Sequence, residues 1–238
     1  MKKDRKISVT FFLNKNVKPD SYTHSPLLSG IKLYPLYLQV TYNRRNTQFR
    51  SFYHGNYSSL EEAFSSKEEK EHRRYEESLI KKVVEYEVRN LGKDFTLKGI
   101  SDRYLNYSDN IVNPIDKYFR DIIYNAVVKT GSEFFEILDP WKLQNVSYNI
   151  YYNAAIKLHS DLNKKLPSDF EEELNMSRKF LEWVSIQKEL IRLIDWLDHS
   201  ATKVYEAYLI KIRFNEEQIK NMLSFVNRVI KISTGLNV

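Results

Sequence analysis

Ile7-Ser8-Val9-Thr10-Phe11-Phe12-Leu13, Pro35-Leu36-Tyr37-Leu38-Gln39-Val40-Thr41-Tyr42 and Thr47-Gln48-Phe49-Arg50-Ser51-Phe52-Tyr53 alternate with period two and are rich in β-branched and aromatic residues. That pattern is the signature of short half-buried strands and predicts a small twisted sheet with two unlike faces. Leu36, Leu38, Val40 and Tyr42 share one face. A turn centred on Arg44-Arg45 would set Tyr53, Ser51, Phe49 and Thr47 opposite them. The other face then carries Tyr37, Gln39, Thr41, Gln48, Arg50 and Phe52. It is polar and rich in hydrogen-bond donors, and a narrow β-ribbon is one of the shapes that fits the DNA major groove.

Working outward, the charge is uneven. Residues 1–60 hold ten Lys or Arg against Asp4 and Asp20, a surplus of +8 in a chain of net charge +6, so the remainder is slightly acidic. Such charge also serves solubility, but its clustering beside the strands favours a polyanionic partner, since phosphate contacts supply most non-specific affinity for nucleic acid. Lys15, Lys18, Arg44 and Arg45, in the expected loop and turn, are candidates for phosphate contact. Tyr37, Gln39, Thr41, Gln48 and Arg50 are candidates for contact with base edges.

Past Tyr53 the pattern changes to helices. The cluster His54-Gly55-Asn56-Tyr57-Ser58-Ser59 closes the sheet and predicts a boundary between a basic β domain at 1–59 and a helical domain at 60–238. A first helix has a charged stretch, Ser65 to Glu77, expected to be solvated, then turns amphipathic through Leu79, Ile80, Val83 and Val84 to Gly92. A short helix is expected around Leu97 to Tyr107. Asn113-Pro114 and Asp139-Pro140 read as helix starts, the latter opening a helix from Trp141 to about Leu166. Ser168-Asp169-Phe170-Glu171 reads as a capping box for a long stretch to Arg213 with a break near His199-Ser200. Asn215 to Gln218 caps a last helix ending at Gly235. The fold class is therefore α+β, a small N-terminal three-stranded antiparallel sheet followed by a mainly α-helical bundle.

The strand–loop–strand–turn–strand run resembles the N-terminal arm-binding domain of tyrosine recombinases, the integrases of mobile elements. The resemblance covers residues 7–53 and departs from the family in its long Asn14–Leu33 loop, in Gln39 where Arg is common, and in Asn43-Arg44-Arg45-Asn46 replacing a Gly-containing turn. It implies a grip on double-stranded DNA through the basic sheet and an accessory role in recombination or a mobile element. The family's catalytic domain needs an Arg, a His-x-x-Arg pair and a nucleophilic Tyr, and none of the five His has Arg at the third following position. No catalytic residue is assigned, and the chain is read as no enzyme.

Other chemistry lacks a sequence basis. Cysteine is absent, which excludes disulfides and thiolate metal sites and fits a reducing cytoplasm. With six glycines and no phosphate-cradling pattern, no nucleotide cofactor is expected, nor any other. Asp195 and His199 at i,i+4 read as a surface pair near a helix end, so no metal is assigned. The carboxylates Glu85/Glu87 and Glu171/Glu172/Glu173 read as solvated. Trp183, Trp196 and the cluster Tyr148, Tyr151, Tyr152 read as core. No apolar run is long enough to span a bilayer, and the N-terminus lacks the apolar core of a signal peptide, so no membrane is expected. Beyond DNA, the helical part could self-associate or hold a protein partner. The alternative whole reading is a helical structural or interaction subunit of a larger assembly, whose sheet contacts protein or RNA.

Overall fold

A computed structural model of the chain describes residues 6–18, 32–53, 55–131, 139, 142–143 and 145–236. The basic residues at 1–5, the middle of the long loop at 19–31, His54 and the expected helix start at Pro140-Trp141 lie outside the described residues. The chain is α+β, and it forms two compact units, Met1–Ser108 and Asp109–Val238.

The first unit is built on the three expected strands, β1 (Ser8–Leu13), β2 (Tyr34–Tyr42) and β3 (Arg45–Arg50), antiparallel in that order. A two-residue strand, β4 (Asn56–Tyr57), pairs with the start of β2. Leu36, Leu38, Val40 and Phe11 are buried on one face. Helix α1 (Lys67–Leu91) buries Leu79, Ile80, Val83 and Val84 at helical spacing, and a short helix α2 (Ile100–Tyr107) buries Ile100 and Tyr104. Each such aliphatic side chain contributes about 1.5–3 kcal/mol on burial. Ring contacts join the sheet to α2 and to the segments flanking α1: Phe49 to Tyr104 at 6.1 Å, Phe11 to Phe64 at 5.8 Å and Tyr42 to Phe95 at 5.4 Å.

The charged start of α1 departs from expectation. Ser66 caps it by accepting from the Glu69 N–H at 3.0 Å, yet Arg73 and Glu76 in its second and third turns are buried. Glu76 accepts from the Ser51 hydroxyl at 2.6 Å and the Phe52 N–H at 2.5 Å, where the chain leaves β3. Arg73 donates to Tyr57 Oη and Glu69, each at 2.7 Å. Glu87, expected to be solvated, is also buried, held by the Tyr107 hydroxyl at 2.6 Å and Arg103 at 2.9 Å. Charges can occupy a core stripe when every one is paired.

The compact units part at 108/109, past the composition change at His54 to Ser59. The division at 59/60 falls inside the first unit, because α1 and α2 pack on the sheet and the buried Glu76 and Arg73 of α1 bond to Ser51, Phe52 and Tyr57. Residues 109–238 are therefore expected to unfold cooperatively as an isolated fragment. A fragment of 60–238 should show the same transition, with 60–108 cut rapidly by protease because Arg73 and Glu76 lack their sheet partners. Protection of 60–108 in that fragment would restore the boundary at 59/60.

The second unit packs α3 (Val112–Lys129), α4 (Tyr148–Leu158), α5 (Phe170–Ser185), α6 (Leu193–Leu197), α7 (Ser200–Lys211) and α8 (Glu216–Thr234). Phe119 sits among Tyr148, stacked at 4.9 Å, Phe170 at 5.7 Å and Phe225 at 6.4 Å. Trp183 meets Tyr205 at 4.7 Å, and Trp196 donates its indole N–H to Asn227 at 2.8 Å. Trp183, Trp196, Tyr148, Tyr151 and Tyr152 are buried, so the described aromatic residues of this unit go largely into its core. Glu173, read as solvated, is also buried; it accepts from Tyr118 at 2.6 Å and Arg228 at 2.5 Å. Burial first and the Glu173 bond second push the Tyr118 phenol up to about 12, so it stays a proton donor at neutral pH.

Several helix ends differ from expectation. α3 begins two residues before Pro114, which then lies in the first turn where its missing N–H costs nothing. α4 starts only at Tyr148 and stops at Leu158. The residue that precedes α5 is Asp169, at φ −92° and ψ 1°, and its side chain makes no cap bond; Glu171, the far member of the expected capping box, accepts instead from the Tyr152 hydroxyl at 2.5 Å. The long stretch to Arg213 is three helices, broken at 186–192 as well as at His199, whose φ is 66°. The last helix matches its signal: Asn215 and Gln218 form a reciprocal capping box, and Gly235 ends it at φ 72°.

Candidate nucleic-acid interface

The hairpin turn decides which side chains the sheet presents. Tyr42 pairs with Arg45, so the loop is the two residues Asn43 and Arg44, at φ 52° and 64°. Both values are positive, as a type I′ turn requires, and its twist matches that of the strands. The turn thus sits one residue earlier than the expected centre at Arg44-Arg45, and the cross-strand partners shift by two: Leu38 faces Phe49 and Val40 faces Thr47. An even shift preserves the faces, whereas an odd one would have exchanged them.

Three cross-strand rows make up the outward face. They are Ser8–Thr41–Asn46, Thr10–Gln39–Gln48 and Phe12–Tyr37–Arg50. Every one of these side chains is exposed or half-buried. In the central row Gln48 Nε2 donates to Gln39 Oε1 at 2.7 Å, fixing the two amides against each other. In the next row the Phe12 and Tyr37 rings lie 6.0 Å apart. From Tyr37 to Thr41 the face runs about 14 Å, the length of roughly four base-pair steps.

Cations flank both ends. Lys6, Arg44 and Arg45 stand at the hairpin end, and Lys15, Lys18 and Lys32 at the end where β1 leaves the sheet. All six are exposed, and Lys15 Nζ lies 5.9 Å from the centre of the Tyr34 ring. The described residues from 6 to 53 contain no Asp or Glu.

Of the nine expected site residues, Tyr37, Gln39, Thr41, Gln48 and Arg50 come together on the outward face, and Arg44 is at its hairpin end. Arg45 differs. It is the first residue of β3 with the parity of the inward face, although it stands exposed at the tip. Lys15 and Lys18 lie at the opposite end from the arginines. Asn46 was missed, because a turn placed one residue late absorbs it. Its signal was its parity with Gln48 and Arg50.

Elsewhere, Asp195 accepts from the Arg192 N–H at 2.8 Å as the cap of α6, and His199 lies beyond that helix, so the two are not on one helical face. Among the described residues, no helix is long and apolar enough to cross a membrane. No protein-family model, curated protein or solved structure matches this chain. The integrase resemblance therefore rests on the residues quoted for it.

Proposed function

We propose that the chain binds double-stranded DNA through the outward face of its N-terminal sheet, without a catalytic role of its own, as an accessory factor of recombination or of a mobile element. The observation that carries this reading is the juxtaposition of an amide- and hydroxyl-bearing face with exposed cations at both of its ends and no described acid from 6 to 53. Three strands at about 4.8 Å spacing are about 10 Å across their axes, and the major groove is about 12 Å wide. The flanking Lys and Arg then meet phosphates, which set register and orientation, while the central amides face base edges. Arg44 supports the same reading. An Arg at φ 64° occupies a position that Gly fills at lower cost, and a strained residue that also carries charge points to use of that charge.

The test is a titration of labelled duplex and single-stranded DNA at several salt concentrations. Duplex binding whose logarithm falls linearly with the logarithm of salt, at a slope of about −0.9 per phosphate contact, is the expected result. Absence of duplex binding at low salt would sink the proposal.

A further inference from the structure

Resting on the duplex-binding reading, we propose that Asn46 and Gln48 select two adenines on one DNA strand, separated by one base pair that neither side chain reads. Both residues are exposed on the outward face of β3, two positions apart. Residues i and i+2 of an antiparallel strand are about 6.8 Å apart. Successive bases along one DNA strand rise about 3.4 Å, so a strand lying along the groove brings two outward side chains to alternate base pairs.

The amides fit adenine by their donor and acceptor pattern. Adenine offers the N7 acceptor and the N6 amino donor in the major groove, which a carboxamide meets with one N–H and its oxygen. Gln48 gives one N–H to Gln39 Oε1 at 2.7 Å, and keeps its second N–H and its Oε1, the two groups that adenine requires. The cross-strand bond also holds the Gln48 amide against rotation, which lowers the entropy lost on contact. Asn46 stands opposite Thr41 and carries the same carboxamide chemistry.

The experiment selects duplexes from a randomised pool at low salt with the whole chain. The bound pool is expected to be enriched in two A·T pairs with one variable pair between them. Asn46→Ala should relax one of these positions and Gln48→Ala the other, each by about ten-fold in discrimination. Gln48→Glu should change the preference at its own position from adenine to cytosine, because a carboxylate accepts from cytosine N4 and has no N–H for adenine N7. Enrichment without this spacing overturns the inference, and so does an equal loss on all duplexes in the Asn46→Ala and Gln48→Ala variants. A chain that binds no duplex at low salt overturns the duplex-binding reading itself, so the two failures are told apart.

Discussion

Glu76→Ala is expected to destabilise the first unit by about 3–5 kcal/mol, the cost of breaking a buried ion pair from one side. The carboxylate is fully buried and accepts from the Ser51 hydroxyl at 2.6 Å and the Phe52 N–H at 2.5 Å, with Arg73 Nη1 4.0 Å away. Removing it strands the Phe52 N–H, cuts the tie between α1 and the end of β3, and leaves Arg73 with the half-exposed Glu69 as its remaining carboxylate partner. Glu76→Gln keeps the shape and one acceptor oxygen and should cost less, about 1–3 kcal/mol. Urea unfolding measures both. The transition of 1–108 should move while that of the isolated fragment 109–238 sets the unshifted reference. A loss under about 1 kcal/mol for Glu76→Ala would mean that water replaces the carboxylate freely, and the buried network would not organise the unit.

How much of this was legible follows from how local each signal is. The strands were, because period-two alternation is written in consecutive residues, and the faces survived a misplaced turn since the error in pairing was even. The last helix was legible from Asn215, Gln218 and Gly235, whose cap geometry depends on near neighbours. Buried charge was not. Arg73, Glu76 and Glu87 lie on the stripe that includes Ile80, Val83 and Val84, but a charge there reads as solvated until its partner is known. Those partners include Ser51, Tyr57 and Tyr107, brought close only by folding. The compact units part elsewhere for the same reason: composition changes at His54 to Ser59, while packing continues to Ser108. On the site, Asn46 was hidden by a one-residue error in the turn, since Asn43 and Arg44 take positive φ without the glycine that marks such turns.

Arg44→Gly combined with Arg45→Ala should weaken binding to every duplex by roughly fifty-fold near 0.1 M salt, and flatten the salt slope by about 1.8, if each arginine holds one phosphate. Gly at position 44 makes this a test of charge separate from folding. Arg44 sits at φ 64° in the second position of a two-residue turn, where Gly is favoured and an L side chain is strained. The double variant should therefore melt no lower than the original chain, so lost binding cannot be assigned to a lost hairpin. Base-facing residues should behave differently. Gln39→Ala or Arg50→Ala is expected to cost roughly 1–3 kcal/mol on a preferred sequence and little on others, because neither side chain supplies the sequence-independent phosphate contacts. Equal losses on all sequences for Gln39→Ala and Arg50→Ala would make the face a non-specific support. Unchanged binding of the Arg44→Gly/Arg45→Ala variant at low salt would mean that the hairpin tip does not approach DNA, and the sheet would have to find another partner.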